Sequence, residues 1–370
     1  MALTTSHQAR LRTSAAAGAT PRLPGPDVVR AVALIGVVVM NYHGYLIIEG
    51  GSDRGEGWAA ELFDPWTGPL STRFAATFVL VAGVGVTLLT RRVVATGRGI
   101  GEMRWRLVRR GVVLYVGGLL LDEIWPGTII PFYGAMFAIA ALLFTARAGW
   151  VAAVGVAAAL GGWMLRWWRW EREDAGASTA WLTAPDEGSL RDHLFGLFVN
   201  GTHPLLPWLV FFCAGILLGR ALGTGWWRPA ALGAGATLYA LATAISATAT
   251  GEFQTVMLST HPGQRGLLFV CSALGTALIA YAAIDWLAER CTAQLDPLRR
   301  AGQMTLTLYL LHVLVYNLVV ESWGLIEPAG LDVALVFALV FWTAAIVAAD
   351  QWSKRFGRGP VERVYRALGG

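Results

Sequence analysis

Charge is scarce in this chain. Only 14% of its 370 residues are Asp, Glu, Lys or Arg, where a soluble domain carries about 25%. That shortage excludes an ordinary water-exposed surface of this extent. Cysteine is nearly absent too: three residues cannot build a disulfide framework. Cys213 and Cys271 fall inside apolar runs and Cys291 at a helix end, so all three read as packing residues. There is no zinc spacing, no serine-nucleophile elbow, no Walker motif and no paired-carboxylate signature, so no metal ligand is expected. The first residues, Met1 to Gly25, are rich in Ser, Thr, Ala and Arg and lack the apolar core of a signal peptide. They read as a disordered cytoplasmic arm.

What remains is apolar: hydrophobic residues make up 55% of the chain, with 17 Trp and 44 Gly. Gly inside long apolar runs and Trp near their ends are habits of bilayer-spanning segments. A span needs roughly 20 apolar residues. Ten candidate runs occur: Val28–Ile48, Phe74–Thr90, Leu107–Leu121, Ile129–Ala146, Trp150–Leu165, Leu205–Leu222, Ala230–Ala247, Gly266–Leu287, Met304–Val320 and Val333–Ala349. The expected fold is all-α, a polytopic bundle of about ten transmembrane helices forming one domain over residues 26–370.

Orientation follows from the loops. If both termini are cytoplasmic, the 29 Lys and Arg divide about three to one in favour of the cytoplasmic side. The outer loops hold most of the acids, among them Asp53, Glu56, Asp122, Glu123, Asp186 and Glu187. A cell-membrane protein is expected, with the lipid bilayer as its first partner. The pI near 9.4 is explained by this topology, so no nucleic acid is called for. Homo-oligomerisation stays open.

Polar groups at bilayer depth are costly and direct attention to function. In the first run, Asp27 and Arg30 are three apart and share a helix face. Asn41 lies within about 20° of Arg30 on the helical wheel and ~16 Å further along. His43 is about 200° around from Asn41 and joins it only if the helix loosens at Gly44. In the ninth run, Thr305, Tyr309, His312 and Tyr316 stay within about 60° of one another. Such stripes belong in a protein interior or wet cavity; interhelical hydrogen bonding explains them equally well. His203, Pro204, Pro207 and Trp208 make a stiff entrance to the sixth run. Gly215 and Gly219 have small-xxx-small spacing for close helix packing. Arg73 at the second run either snorkels or holds a polar substrate group. Arg104, Arg106, Arg109 and Arg110 anchor the topology or bind phosphates.

Asp27, Arg30 and Asn41, with "VLVAGVGVTLL", "HPLLPWLVFFCAGILLGR", "AGQMTLTLYLLH" and "GPVERVYRAL", resemble the transmembrane acyltransferases. The Asn version, with "VLVAGVGVTLL" in the next run, is similar to the heparan-α-glucosaminide N-acetyltransferase-like branch, and the other three motifs resemble related uncharacterised bacterial membrane proteins of that superfamily. The resemblance implies an enzyme that moves an acyl group from cytosolic acyl-CoA, as co-substrate, to an extracytoplasmic sugar or glycan. In that branch the Asn is partnered by a His about eleven residues on; here Ser52 stands there. His43 is then the expected base (His203 the second choice), with Asn41 as amide donor. Asp27, Arg30, Arg73, His203, Trp208, Tyr309 and His312 would line the substrate path, and the four arginines would hold acyl-CoA. A transporter or flippase for a small polar or lipid-linked substrate needs the same polar path, and a non-catalytic scaffold needs none.

Overall fold

The computed structural model describes residues 23–51, 57–183 and 188–370. The expected arm at residues 1–25 lies almost wholly outside them, as do Ser52, Asp53, Glu56, Asp186 and Glu187; Gly25 already begins the first helix. Among the described residues the chain is all helix and turn. Each of the ten apolar runs falls on a helix: α1 Gly25–Ile48, α2 Arg73–Thr96, α3 Ile100–Asp122, α4 Ile130–Leu143, α5 Ala148–Asp174, α6 Leu205–Ala221, α7 Trp227–Ser246, α8 Leu267–Arg290, α9 Thr305–Tyr316 and α10 Leu331–Phe356. A last amphipathic helix, α11, spans Pro360–Gly369.

Seven of these are long and apolar enough to cross a membrane, α9 with the π-turn Asn317–Ser322 that continues it. An eighth span arises if α6 is joined to Leu190–Asn200, from which it bends by 56°. The two that fall short have plain reasons. Helix α3 carries four arginines in its first half, and α4 is only 14 residues long. The expected figure of about ten thus holds for helices, while seven or eight meet the span criterion. The chain is a multi-pass membrane protein.

Helix α1 sits at the centre: 61% of its apolar window is buried, against 17% for α7 at the periphery. It is packed by α2, α8, α9, α10 and the short helix Asp296–Gly302. Between helices in lipid there is no hydrophobic drive, so close backbone approach has to hold them. Gly215 of α6 provides it: a Cβ there would lie 1.9 Å from the Leu80 carbonyl oxygen of α2. At Gly302 a Cβ would meet the Asp27 carbonyl at 1.8 Å. That contact presses the turn before α9 onto the start of α1. A second ion cluster, Arg228 with Asp285 and Glu289, ties α7 to α8.

Candidate functional site

The polar stripes of α1 and α9 face each other. These two helices run parallel, so the early residues of one meet the early residues of the other. At the N-terminal end of α1, Arg30 Nη1 donates to Asp27 Oδ1 at 3.3 Å and to the Gly302 carbonyl at 3.4 Å. Gln303 donates to the other Asp27 oxygen at 2.9 Å. Asp27 is 4% exposed, so these partners supply what water would otherwise give.

Beyond this cluster lies a cavity of about 400 Å3. Arg30, Arg110, Tyr133, Gln303, Tyr309 and Tyr365 give it its polar wall, and Phe78, Leu114 and Phe137 its apolar one. Helix α11 closes one side. Its Glu362 accepts from the backbone N–H groups of Leu306 at 2.8 Å and Thr307 at 3.0 Å, and from the Thr307 hydroxyl. A carboxylate on the first N–H groups of α9 satisfies donors that the helix leaves free and meets the positive end of its dipole. Burial raises the Tyr365 phenol above its ordinary value, with Arg110 pulling the other way, so the phenol keeps its hydrogen. The Arg110 guanidinium lies 5.6 Å from the Tyr365 ring centroid.

At the deep end of the cavity, the Tyr309 hydroxyl pairs with Thr128 Oγ1 at 2.8 Å. One helical turn further, His312 is fully buried. Its Nδ1 faces the Tyr309 carbonyl oxygen. A carbonyl can only accept, so Nδ1 carries the ring hydrogen and Nε2 keeps its lone pair. That lone pair receives the Asn41 amide, Nδ2 to Nε2 at 3.3 Å. The Tyr42 hydroxyl donates to the His312 carbonyl at 3.1 Å. Beyond His312, Trp125 stacks on Tyr45 with ring centroids 3.7 Å apart, and Tyr316 meets Trp125 edge-on. This aromatic layer closes the column toward the C-terminal end of α1.

A second pocket, also about 400 Å3, opens on that side, with Asp122, Glu123, Asp192, His193 and Thr202 in its wall. Ile130 lines the first cavity and its neighbour Pro131 the second.

The structure therefore gathers Arg30, Arg110 and Tyr309 in the cavity wall, holds Asp27 against Arg30, and sets the Asn41–His312 pair one helical turn beyond, outside the lining. The remaining expected site residues stand elsewhere. His43 is fully buried but points away, its Nδ1 2.9 Å from the Phe63 carbonyl; it fastens the Trp58–Leu62 segment to α1. Arg73 bonds the Pro69 carbonyl at 3.3 Å and covers the Phe269 ring. His203 and Trp208 meet ring to ring at 4.5 Å, near Phe132. Arg104 bonds Thr145, while Arg106 donates to the Gly370 carbonyl beside Arg110. Thr128, Tyr133, Gln303, Glu362 and Tyr365 entered no sequence argument. Gln303, Glu362 and Tyr365 left a trace, inside quoted motifs.

Among the described residues no group of His, Cys, Asp or Glu is arranged to hold a metal ion. Residues 207–369, somewhat under half of the chain, match a family described as "Protein of unknown function (DUF418)", an uncharacterised membrane protein family. The match takes in Tyr309, His312 and Glu362; Arg30 and Asn41 lie outside it. No curated protein matches the chain.

Proposed function

We propose that this chain is a membrane acyltransferase that carries an acyl group from cytosolic acyl-CoA to a hydroxyl or amine of an extracytoplasmic sugar or glycan. The observation that carries the reading is the buried Asn41–His312 pair, one helical turn from a cavity walled by two arginines. The cytoplasmic position of the cavity mouth rests on the excess of Lys and Arg at that end.

Acyl-CoA enters as substrate. Arg30 and Arg110 suit its phosphates because a guanidinium offers a planar fork of donors. A cavity of this size takes the acyl-pantetheine arm and leaves the nucleotide at the mouth, near Arg106 and Arg109. Of the four clustered arginines, Arg110 is the one in the cavity wall.

The base role considered for His43 is assigned to His312, because the His312 ring lies one helical turn from the cavity and faces Asn41, whereas the His43 ring is tied to the Phe63 carbonyl. In the transfer, Nε2 takes the proton of the attacking oxygen or nitrogen. The new carbon–heteroatom bond forms at the thioester carbonyl, the C–S bond breaks, and the thiolate of CoA leaves with the proton returned from His312 Nε2. The Asn41 amide, freed from His312, donates to the carbonyl oxygen as it gains charge. Tyr309 fixes the imidazole through its carbonyl.

One observation favours a second reading. Two pockets of equal size, lined by the adjacent residues Ile130 and Pro131, also suit a carrier of a small polar or lipid-linked substrate. Sealed vesicles decide between them. With acyl-CoA on the side of the basic loops and glycan acceptors on the other, the transferase releases CoA and acylates the acceptor. A carrier moves its solute and releases no CoA.

A further inference from the structure

A third pocket, of about 420 Å3, lies at the C-terminal end of α1's side of the bundle, where α5 ends and α6 and α8 begin. Three arginines converge in its wall from two distant stretches of chain: Arg166 and Arg169 on α5, and Arg265 in the turn before α8. Glu173 is the one carboxylate in the described lining, and it is shared: its Oε1 accepts from Thr179 and lies 3.5 Å from Arg169. Like charges gathered in a partly dry pocket repel and lose hydration, so the cluster is unfavourable without an anion.

The hydrogen bonds sharpen the point. Arg166 donates to the Gln264 carbonyl and Arg265 to the Gly201 carbonyl, and these neutral acceptors fix the two guanidiniums in place. The Nε groups of Arg166 and Arg169 are buried and have no acceptor. Arg265 is held at φ +48°, a left-handed conformation that a residue with a Cβ adopts rarely. The apolar part of the wall includes Leu165, Leu206, Val256 and Met257. Around the pocket, Trp167, Trp168 and Trp181 are exposed. Tryptophans gathered at a span end mark headgroup depth.

We propose that Arg166, Arg169 and Arg265 bind a phosphate group at the membrane surface, presented by a lipid head group whose first chain carbons rest on the apolar wall. Phosphate oxygens match guanidinium forks in charge and geometry. This site is separate from the Asn41–His312 path and does not depend on the reaction proposed for it.

The test is thermal unfolding of the full chain in a neutral detergent, titrated with dioctanoyl phosphatidic acid, dioctanoylglycerol or inorganic phosphate. A ligand bound only by the folded state raises the midpoint saturably. Phosphatidic acid raises it and dioctanoylglycerol, with the same chains, does not. An equal shift with inorganic phosphate at equal concentration makes free phosphate the source of the group and overturns the lipid part. Arg169→Gln is the informative variant, because Arg169 holds no backbone carbonyl of another element and its loss spares the local fold. It weakens the phosphatidic acid response about 10-fold, the effect of one charge-assisted hydrogen bond, while Arg191→Gln leaves it unchanged. No response to any phosphate, an equal response to dioctanoylglycerol, or an unaltered response in Arg169→Gln overturns the site.

Discussion

The Asn41 amide and the His312 imidazole meet at 3.3 Å across the α1–α9 interface, although 271 residues separate them in sequence. The Tyr309 carbonyl sets the ring tautomer, and Tyr42 and Trp125 wall the pair in. Both rings of the column and the amide are held from more than one element. The pair is therefore held in one arrangement within the bundle.

Sidedness can be checked first. The loops at the Arg30 end carry most of the Lys and Arg, so that end is expected in the cytoplasm. A reporter fused after Gly370 is active only as a cytoplasmic marker, and a tag inserted at Ala177, in the turn after α5, is labelled from outside. Outside labelling at Gly370 would reverse the path and with it the side from which acyl-CoA enters.

Arg30 and Arg98 are both basic residues near the same membrane face, and they should behave differently. Arg30 is bonded to Asp27 and to the Gly302 carbonyl. Arg98 is exposed, between Gly97 and Gly99. Arg30→Ala leaves a buried carboxylate short of a donor and costs about 1–3 kcal/mol, while Arg98→Ala stays within about 0.5 kcal/mol. Unfolding midpoints of the two purified variants read this directly; matching midpoints would make Arg30 a mere interfacial anchor.

Much of this was legible in the sequence, and the part that was not has a physical cause. Hydrophobic runs placed every long helix because a bilayer demands about 20 apolar residues in succession. The 3.6-residue period put Arg30 with Asn41, and Tyr309 with His312 and Tyr316, because it reports which residues share a face. It does not report what that face meets. That α1 turns its stripe toward α9 depends on the approach at Gly302, which no local pattern records. His43 could be placed about 200° from Asn41, but its partner, the Phe63 carbonyl, is a backbone atom in a loop and leaves no mark in composition. The same holds for Glu362. Its carboxylate caps α9 from 55–56 residues away, a contact made by folding alone.

Close packing gives a prediction in which the sign depends on position. Gly215 and Gly233 are both helical. At Gly215 a Cβ would strike the Leu80 carbonyl, whereas at Gly233 nothing lies within 4 Å. Gly215→Ala forces α2 and α6 apart and costs about 1–3 kcal/mol or more. Gly233→Ala removes backbone freedom in the unfolded chain and gains up to about 1 kcal/mol. Thermal unfolding of the two variants should move in opposite directions, and a harmless Gly215→Ala would mean that α2 and α6 are not locked at this contact.

The chemistry rests on His312. His312→Gln keeps a polar side chain of similar reach and can still meet Asn41, but it has no basic lone pair. Transfer from acyl-CoA should fall by ~10²–10⁴-fold, the usual contribution of a positioned base, with acyl-CoA still stabilising the protein against heat. Asn41→Ala should lower transfer by ~10²–10³-fold, as loss of one amide donor at a developing oxyanion does. The two losses combined should be smaller than their product, because the groups act on one another directly. His43→Ala is the internal control. It frees the Phe63 carbonyl and lowers the unfolding midpoint, yet leaves the Asn41–His312 pair in place and slows transfer little at a temperature where the variant stays folded. CoA release and acceptor acylation in sealed vesicles measure all four proteins. A His43→Ala variant that is folded, binds acyl-CoA and is slowed a thousandfold, beside a His312→Gln variant of wild-type rate, would return the base role to His43 and make the buried pair a structural hydrogen bond.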